Sequence, residues 1–379
     1  MLTGGYGGAV KVALMGTRGV PAQYGGFETA VEEIGRRLAD RGYEVTVYCR
    51  NPGQRQTEYL GMQLVNAPAI RHRMAETLSH TTVSVAHTIL RRRPDAVLLL
   101  NAGNAPLLPA LRGARIPTAI HLDGLESRRA KWRGMGARYY QWAERSSIRH
   151  GQIVIADSQA IADHVERTFG RRCVVIAYGA PVIQPAPDRL TELGLQPGEY
   201  HLVVARFEPE NHVLEAVSSY RASTQARPLV VVGSAPYSQW YIDAVSQAAN
   251  GDPRIHLVGA IYDQELLDQL YAHAMTYIHG HSVGGTNPSL LRAMGAGTAV
   301  LAFDVEFNRE VTAGRAMFWS SPAELVRLLN RLDEPGMATE LAELRQASRD
   351  RIQTAYQWDF VTDAYEDVIH RLVEQRLDS

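Results

Sequence analysis

An alternation that runs through the chain twice constrains its fold more than any other feature. Short apolar runs at 10–15, 45–49, 96–100, 118–121, 153–157 and 173–177 alternate with helix-like stretches, and a second series follows at 201–205, 229–233, 255–258, 277–278 and 298–303. Such runs, separated by helical spacing, predict parallel strands with crossover helices, a doubly wound α/β pattern. Between the series, 181–197 carries Pro181, Pro185, Pro187 and Pro197 with few apolar residues, and reads as a linker. At 379 residues the chain exceeds one comfortable core, so two domains of roughly 150–200 residues are expected. The boundaries fall at 1–180 and 181–355, with a last helix over 356–379. Two such domains in tandem predict a ligand cleft between the carboxyl ends of their strands.

One strand-to-helix junction is specialised. Residues 277–300 read YIHGHSVGGTNPSLLRAMGAGTAV. A short strand leads into His279 and His281, the pair Gly284 and Gly285, and then Thr286, Asn287, Pro288 and Ser289 at the start of a small apolar helix. Asn287 suits an N-cap, because its side-chain oxygen can accept a first-turn amide, and Pro288 suits the first helical position, where no donor is needed. Amides at a positive helix end, reached through glycines, form an anion site, and phosphate is the expected anion. A well-capped connection without a ligand is the alternative.

In the first series Gly25 and Gly26 precede a helix expected over 27–41, with Val31, Ile34 and Leu38 on one face and Gly42 as its stop. They form a second backbone-amide surface. Gly16 and Gly19 do not make a dinucleotide fingerprint, since Val20 and Pro21 follow and the helix starts too late, which argues against a nicotinamide oxidoreductase. At a strand end, HLDGLE carries His121, Asp123 and Glu126, which can take a proton from a hydroxyl or hold it by hydrogen bonds. A polar loop with an Asp-Gly turn is the alternative. Arg206, in ARFEPENH, follows another strand and can neutralise a diphosphate bidentately. The loops Gly233-Ser234 and 259–262, ending in Tyr262, suit a base and ribose. No Asp-x-Asp and no His/Cys cluster with metal spacing occurs, so a diphosphate site without a metal or other cofactor fits the residues present.

The net charge of −1 hides an asymmetry. Residues 1–180 carry 24 Lys+Arg against 14 Asp+Glu, leaving 15 against 26 for the rest. Much of the positive excess lies in 127–150, where Arg128, Arg129, Lys131 and Arg133 surround Trp132 and further arginines alternate with Tyr139, Tyr140 and Trp142. Basic residues interleaved with Trp and Tyr suit an anionic membrane surface or an acidic ligand. Nucleic acid follows from the same physics, but no recognition motif supports it. A solvated helix face with buried aromatics is the plain alternative. Cys49 and Cys173 fit buried free thiols in a reducing compartment. No apolar run approaches the roughly 20 residues of a membrane span, so a cytoplasmic protein, peripheral at the inner face of the plasma membrane, is expected.

The tandem of KVALMGTRGVPAQYGGFE, HLDGLE, RFEPEN, GHSVGGTNPSLLRAMG and AYQWDFVTDAYEDV resembles the GT-B glycosyltransferases of family 4, in particular a bacterial subgroup that includes rhamnosyltransferases of cell-surface polysaccharide assembly. The resemblance implies two Rossmann-like domains facing across a cleft, a nucleotide sugar in the second, an acceptor in the first, and a last helix that crosses back. By motif match, Arg206 binds the donor diphosphate, the loop from Gly284 through Gly285, Thr286 and Asn287 to Ser289 takes phosphates and sugar, and Gly25-Gly26 meets the diphosphate from the opposite wall. Glu210, Ser234, Tyr262 and His281 complete the donor set. Asn211 stands where the wider family has a lysine, and Arg292 where it has the glutamate that holds the ribose. His121 falls beside the reacting sugar, and Asp123 and Glu126 are the subgroup's acidic pair.

The activity so implied is metal-independent transfer of a sugar, L-rhamnose from dTDP-rhamnose, to a lipid-diphosphate-linked or other saccharide, with retention. Two rival expectations use the same fold: a nucleotide-sugar epimerase, which needs no acceptor, and a catalytically silent partner subunit, to which Arg292 points.

Overall fold

The computed structural model of the protein describes residues 8–22, 25–50, 56–70, 76–122, 124, 134–234 and 239–377. These form two compact units, one built from the residues up to Tyr178 together with those from Trp358 onward, the other from Gly179 to Gln357.

The first unit holds β1 (Lys11–Met15), α1 (Gly26–Asp40), β2 (Glu44–Cys49), β3 (Glu58–Tyr59), β4 (Met62–Asn66), α2 (Glu76–Leu90), β5 (Ala96–Leu100), α3 (Leu108–Gly113), β6 (Thr118–Leu122), α4 (Met135–His150), β7 (Ile153–Ala156), α5 (Gln159–Phe169) and β8 (Val174–Val175). Its sheet runs β3-β4-β2-β1-β5-β6-β7-β8, parallel except for the β3/β4 pair. Strand order reverses between β1 and β5, the switch point at which such sheets take ligands. β5 and β6 are buried along their whole length, as strands covered on both faces must be. α1 buries Phe27, Val31, Ile34 and Leu38 at three- and four-residue spacing. Each of these side chains, fully buried, contributes about 1.5–3 kcal/mol.

The second unit holds β9 (His201–Val204), α6 (Val213–Ala222), β10 (Leu229–Val232), α7 (Gln239–Ala249), β11 (Ile255–Gly259), α8 (Gln264–His273), β12 (Thr276–His279), α9 (Pro288–Gly295), β13 (Ala299–Phe303), α10 (Glu306–Thr312), β14 (Met317–Trp319), α11 (Pro322–Arg331) and α12 (Met337–Ala355). Its sheet is wholly parallel in the order β11-β10-β9-β12-β13-β14, with the switch point between β9 and β12. α13 (Trp358–Leu377) belongs to the first unit. It lies along α1, where Arg37 pairs with Asp359 at 2.8 Å and Arg41 with Glu366 at 2.6 Å, and the Tyr43 hydroxyl donates to Glu366 at 2.8 Å.

The structure corrects two expectations. Residues 181–197 are not a free linker: Leu190 and Leu195 are buried, Gln269 on α8 donates to Asp188 at 2.6 Å, and a His273 ring nitrogen stands 2.9 Å from the Pro185 carbonyl. The prolines shape a segment that packs on the second unit. Cys49 is buried, but Cys173 is only half-buried; both are free thiols. The short strands β3, β4 and β14 add to the expected set. Among the described residues no helix is long and apolar enough to cross a membrane.

Candidate functional site

At the switch point of the second sheet, β9 ends at Val204 and is followed by Arg206, while β12 ends at His279 and is followed by Gly280 and His281. Gly280 passes so close to the Asn211 carbonyl that any Cβ there would collide with it. That approach lets Asn211 join the two strand ends. Its Nδ2 donates to the Arg206 carbonyl at 2.8 Å, and its Oδ1 stands 2.7 Å from His281 Nδ1. With the amide so oriented, Oδ1 can only accept, so His281 carries a proton on Nδ1. Asn308 Nδ2 donates to the His281 carbonyl at 2.9 Å, and both the amide and the hydroxyl of Ser282 donate to the carbonyl of buried Glu210, at 2.9 and 3.1 Å.

The helix end is built as the sequence predicts. Asn287 caps α9, its Oδ1 accepting from the Ser289 amide at 2.9 Å and the Ser289 hydroxyl at 2.7 Å, and Pro288 takes the first helical position. The Tyr277 hydroxyl lies 3.1 Å from the Val204 carbonyl and 2.9 Å from Ser289 Oγ, tying β9 to the start of α9. Gly284 sits at a φ of 134°, which an L side chain rarely adopts, and Thr286 is buried. Arg206 is 40% exposed, with Glu208 3.7 Å away. Arg292, one turn into α9, pairs bidentately with Asp268 on α8 at 2.5 and 2.8 Å. Ser234 is half-buried and accepts the Phe207 amide on its carbonyl at 3.1 Å, whereas Tyr262 is 73% exposed. Burial pushes the His279 imidazole down to about 3, so this ring is neutral near pH 7.

In the first unit, His121 is 3% exposed at the end of β6. Its ring centroid lies 5.2 Å from that of Phe27, 6.2 Å from Tyr178 and 6.3 Å from Tyr365, and Nδ1 has no hydrogen-bond partner. Burial pushes it down to about 4, so it is a neutral group among aromatic rings. Gly25 caps α1 and Gly26 begins it, but the chain places its own carboxylate there: Glu28 accepts the Arg18 amide at 3.0 Å, and a Cβ on Gly25 would strike Glu28. One turn on, Glu32 accepts the Ala22 amide at 2.7 Å, so α1 anchors the loop after β1 twice. Asp123, Glu126, Arg128, Arg129, Lys131, Trp132 and Arg133 lie outside the described residues. Of the same stretch, α4 buries Ala143, Ser147 and Ile148, leaves Trp142 exposed, and donates from the Tyr139 hydroxyl to the Gly103 carbonyl at 2.5 Å.

Residues 25–179 match the glycosyl transferase 4-like domain family, and residues 199–334 match the glycosyl transferases group 1 family. The chain is a glycosyltransferase of the GT-B fold. Among solved structures, this glycosyltransferase is similar to sucrose-phosphate synthase of Thermosynechococcus elongatus, at 19% identity over 97% of this chain and 100% of that one, with a TM-score of 0.83. It is also similar to HepE of Anabaena, solved with UDP-glucose, at 16% identity over 95% and 99% with a TM-score of 0.77. The trehalose 6-phosphate synthase of Burkholderia multivorans follows at 12% identity over 97% and 98%, with a TM-score of 0.74. At these identities the likeness is one of fold. No curated protein sequence matches the chain.

The structure of the glycosyltransferase brings Arg206, Glu210, Asn211, His281 and Ser289 together around the β9/β12 switch point through the bonds described above. Three residues that hold this site escaped the sequence reading: Tyr277, Asn308 and Asp268. Tyr277 had a visible signal, a phenolic hydroxyl on a fully buried strand beside the glycine-rich loop. Asn308 and Asp268 had none, since each acts across a tertiary contact.

Proposed function

We propose that the protein moves a sugar from a nucleoside-diphosphate sugar to a hydroxyl of a saccharide acceptor, the second unit taking the donor and the first the acceptor. One observation carries this: at the switch point of the second sheet, Tyr277 ties the capped N-terminus of α9 to the strand that delivers Arg206. A positive helix end and a half-exposed guanidinium meet the main electrostatic demand of the reaction, the negative charge that grows on the departing diphosphate. The HepE structures solved with UDP and UDP-glucose support the nucleotide-sugar class. Resemblance to the rhamnosyltransferase subgroup favours dTDP-rhamnose, a lipid-diphosphate-linked acceptor and surface polysaccharide assembly at the inner face of the plasma membrane, with the stretch from Arg128 to Arg133 against anionic headgroups.

In this reading no metal is required, because amides and arginines balance the diphosphate. The leaving phosphate takes the acceptor's proton and configuration is retained. His121, neutral at physiological pH, acts by hydrogen bonding and shape rather than by charge. In an inverting scheme Asp123 becomes the base.

The test is nucleoside diphosphate release from dTDP-, UDP- and GDP-sugars, with and without a lipid-diphosphate-linked saccharide, in the absence of added metal. Release that requires the acceptor is the expected result, and the product's anomeric configuration by NMR separates retention from inversion. Conversion of the donor without any acceptor would favour an epimerase. No turnover of any donor with any acceptor would contradict the reading.

A further inference from the structure

Arg50 directly follows β2, at the carboxyl edge of the first sheet, and its side chain is only 10% exposed. Its amide donates to the Arg18 carbonyl at 3.0 Å, which sets the loops after β1 and β2 side by side. Its guanidinium makes little use of its five donors. Nη1 donates to Thr77 Oγ1 at 3.0 Å, Glu76 comes no nearer than 4.0 Å, and Nε is buried with no partner. The other carboxylate in its field, Glu28, is already held by the Arg18 amide. Burial pushes fully buried His80, also close to Arg50, down to about 4, so its neutral ring adds no charge beside the guanidinium. Burial pushes the Arg50 guanidinium below its usual range, and Arg18 adds a like charge.

A desolvated cation with a buried donor unmet and no carboxylate closer than 4.0 Å is costly unless something arrives to meet it. A guanidinium fork fits a phosphate oxygen pair, and a dry setting strengthens that bond. We propose that Arg50, with Arg18 beside it, binds a phosphate group of the acceptor, so that this transferase glycosylates a phosphate-bearing saccharide rather than a neutral one. The proposal rests on the reading that the first unit takes the acceptor.

The experiment is calorimetric titration of inorganic phosphate into the full chain and into R50M, R50K and R206A. R206A is expected to keep wild-type binding at the Arg50 site, whatever it loses at the donor site, R50M to bind there at least tenfold more weakly, and R50K to fall between, since it keeps the charge and loses the fork. R50K also serves should R50M not fold. Replacing phosphate by a hexose 6-phosphate or by a short prenyl diphosphate shows by the tighter binding whether the group belongs to a soluble sugar phosphate or to a lipid carrier. Equal binding by R50M and R50K to wild type, loss confined to R206A, or no phosphate binding at all would overturn the proposal. Phosphate binding at Arg50 without any nucleoside diphosphate binding would contradict the donor reading alone, and the reverse result would contradict this one alone.

Discussion

Asn211 Oδ1 lies 2.7 Å from His281 Nδ1 while Asn211 Nδ2 donates to the Arg206 carbonyl at 2.8 Å, so one buried amide holds both strand ends of the second unit's switch point. Its removal orphans a donor and an acceptor in the interior at once.

The N211A variant should therefore lose about 1–3 kcal/mol of stability. It should also bind nucleoside diphosphate more weakly, because Arg206 and the 280–286 loop lose their common brace. Urea unfolding and calorimetric titration check the two effects. An unchanged midpoint and affinity would remove Asn211 from this role.

Asn287 is the N-cap of α9 through its bonds to the Ser289 amide and hydroxyl. N287A should cost about 0.5–2 kcal/mol and N287G only a few tenths, because glycine tolerates the cap conformation without supplying the acceptor. Denaturant midpoints at constant slope give the comparison.

The family resemblance implies a ribose-binding glutamate at the position of Arg292, which Asp268 holds bidentately. R292E alone would set two carboxylates together and should destabilise the protein. The swap R292D/D268R should recover part of the loss, with a coupling of about 0.5–3 kcal/mol in a double-mutant cycle. If R292E gains nucleotide affinity at no cost in stability, the ion pair is not what keeps an arginine here.

Burial lowers His80, His121 and His201 to about 4 and His279 to about 3. Because each is depressed below its unfolded value, the unfolded chain binds more protons between about pH 6.5 and 4. The stability of the neutral buried rings is thus complete above that window and lost as pH falls through it. Each such histidine contributes up to about 3 kcal/mol to that loss. H121F should unfold with a shallower pH dependence than wild type over that range, by chemical denaturation at stepped pH. An identical dependence would mean that His121 titrates freely in the folded state.

The α9 cap was legible because capping is local: Asn287, Pro288 and the glycines before them carry the whole signal within a few residues. The strand alternation was legible for the same reason, except at the short β3 and β14 and at β4, where the polar Gln63 and Asn66 interrupt the apolar run. Local pattern failed where a distant partner decides. Prolines at 181–197 looked like a linker because nothing nearby reveals that Leu190 and Leu195 are buried and that Asp188 meets Gln269. His121 looked poised for proton transfer in HLDGLE, but Phe27, Tyr178 and Tyr365, which enclose it, come from three remote segments. Arg292 could not be explained without Asp268, and Arg50 gave no motif at all.

The central claim is that the second unit binds a nucleoside diphosphate at the β9/β12 switch point. A thermal-shift panel of dTDP, UDP and GDP with their common sugars, without added metal, tests it most directly, since a ligand that binds only the native state must raise the melting temperature. A saturable shift by one base, reduced in R206A and N211A, is the predicted result. No shift by any nucleotide would contradict the account and leave the silent-subunit reading in its place.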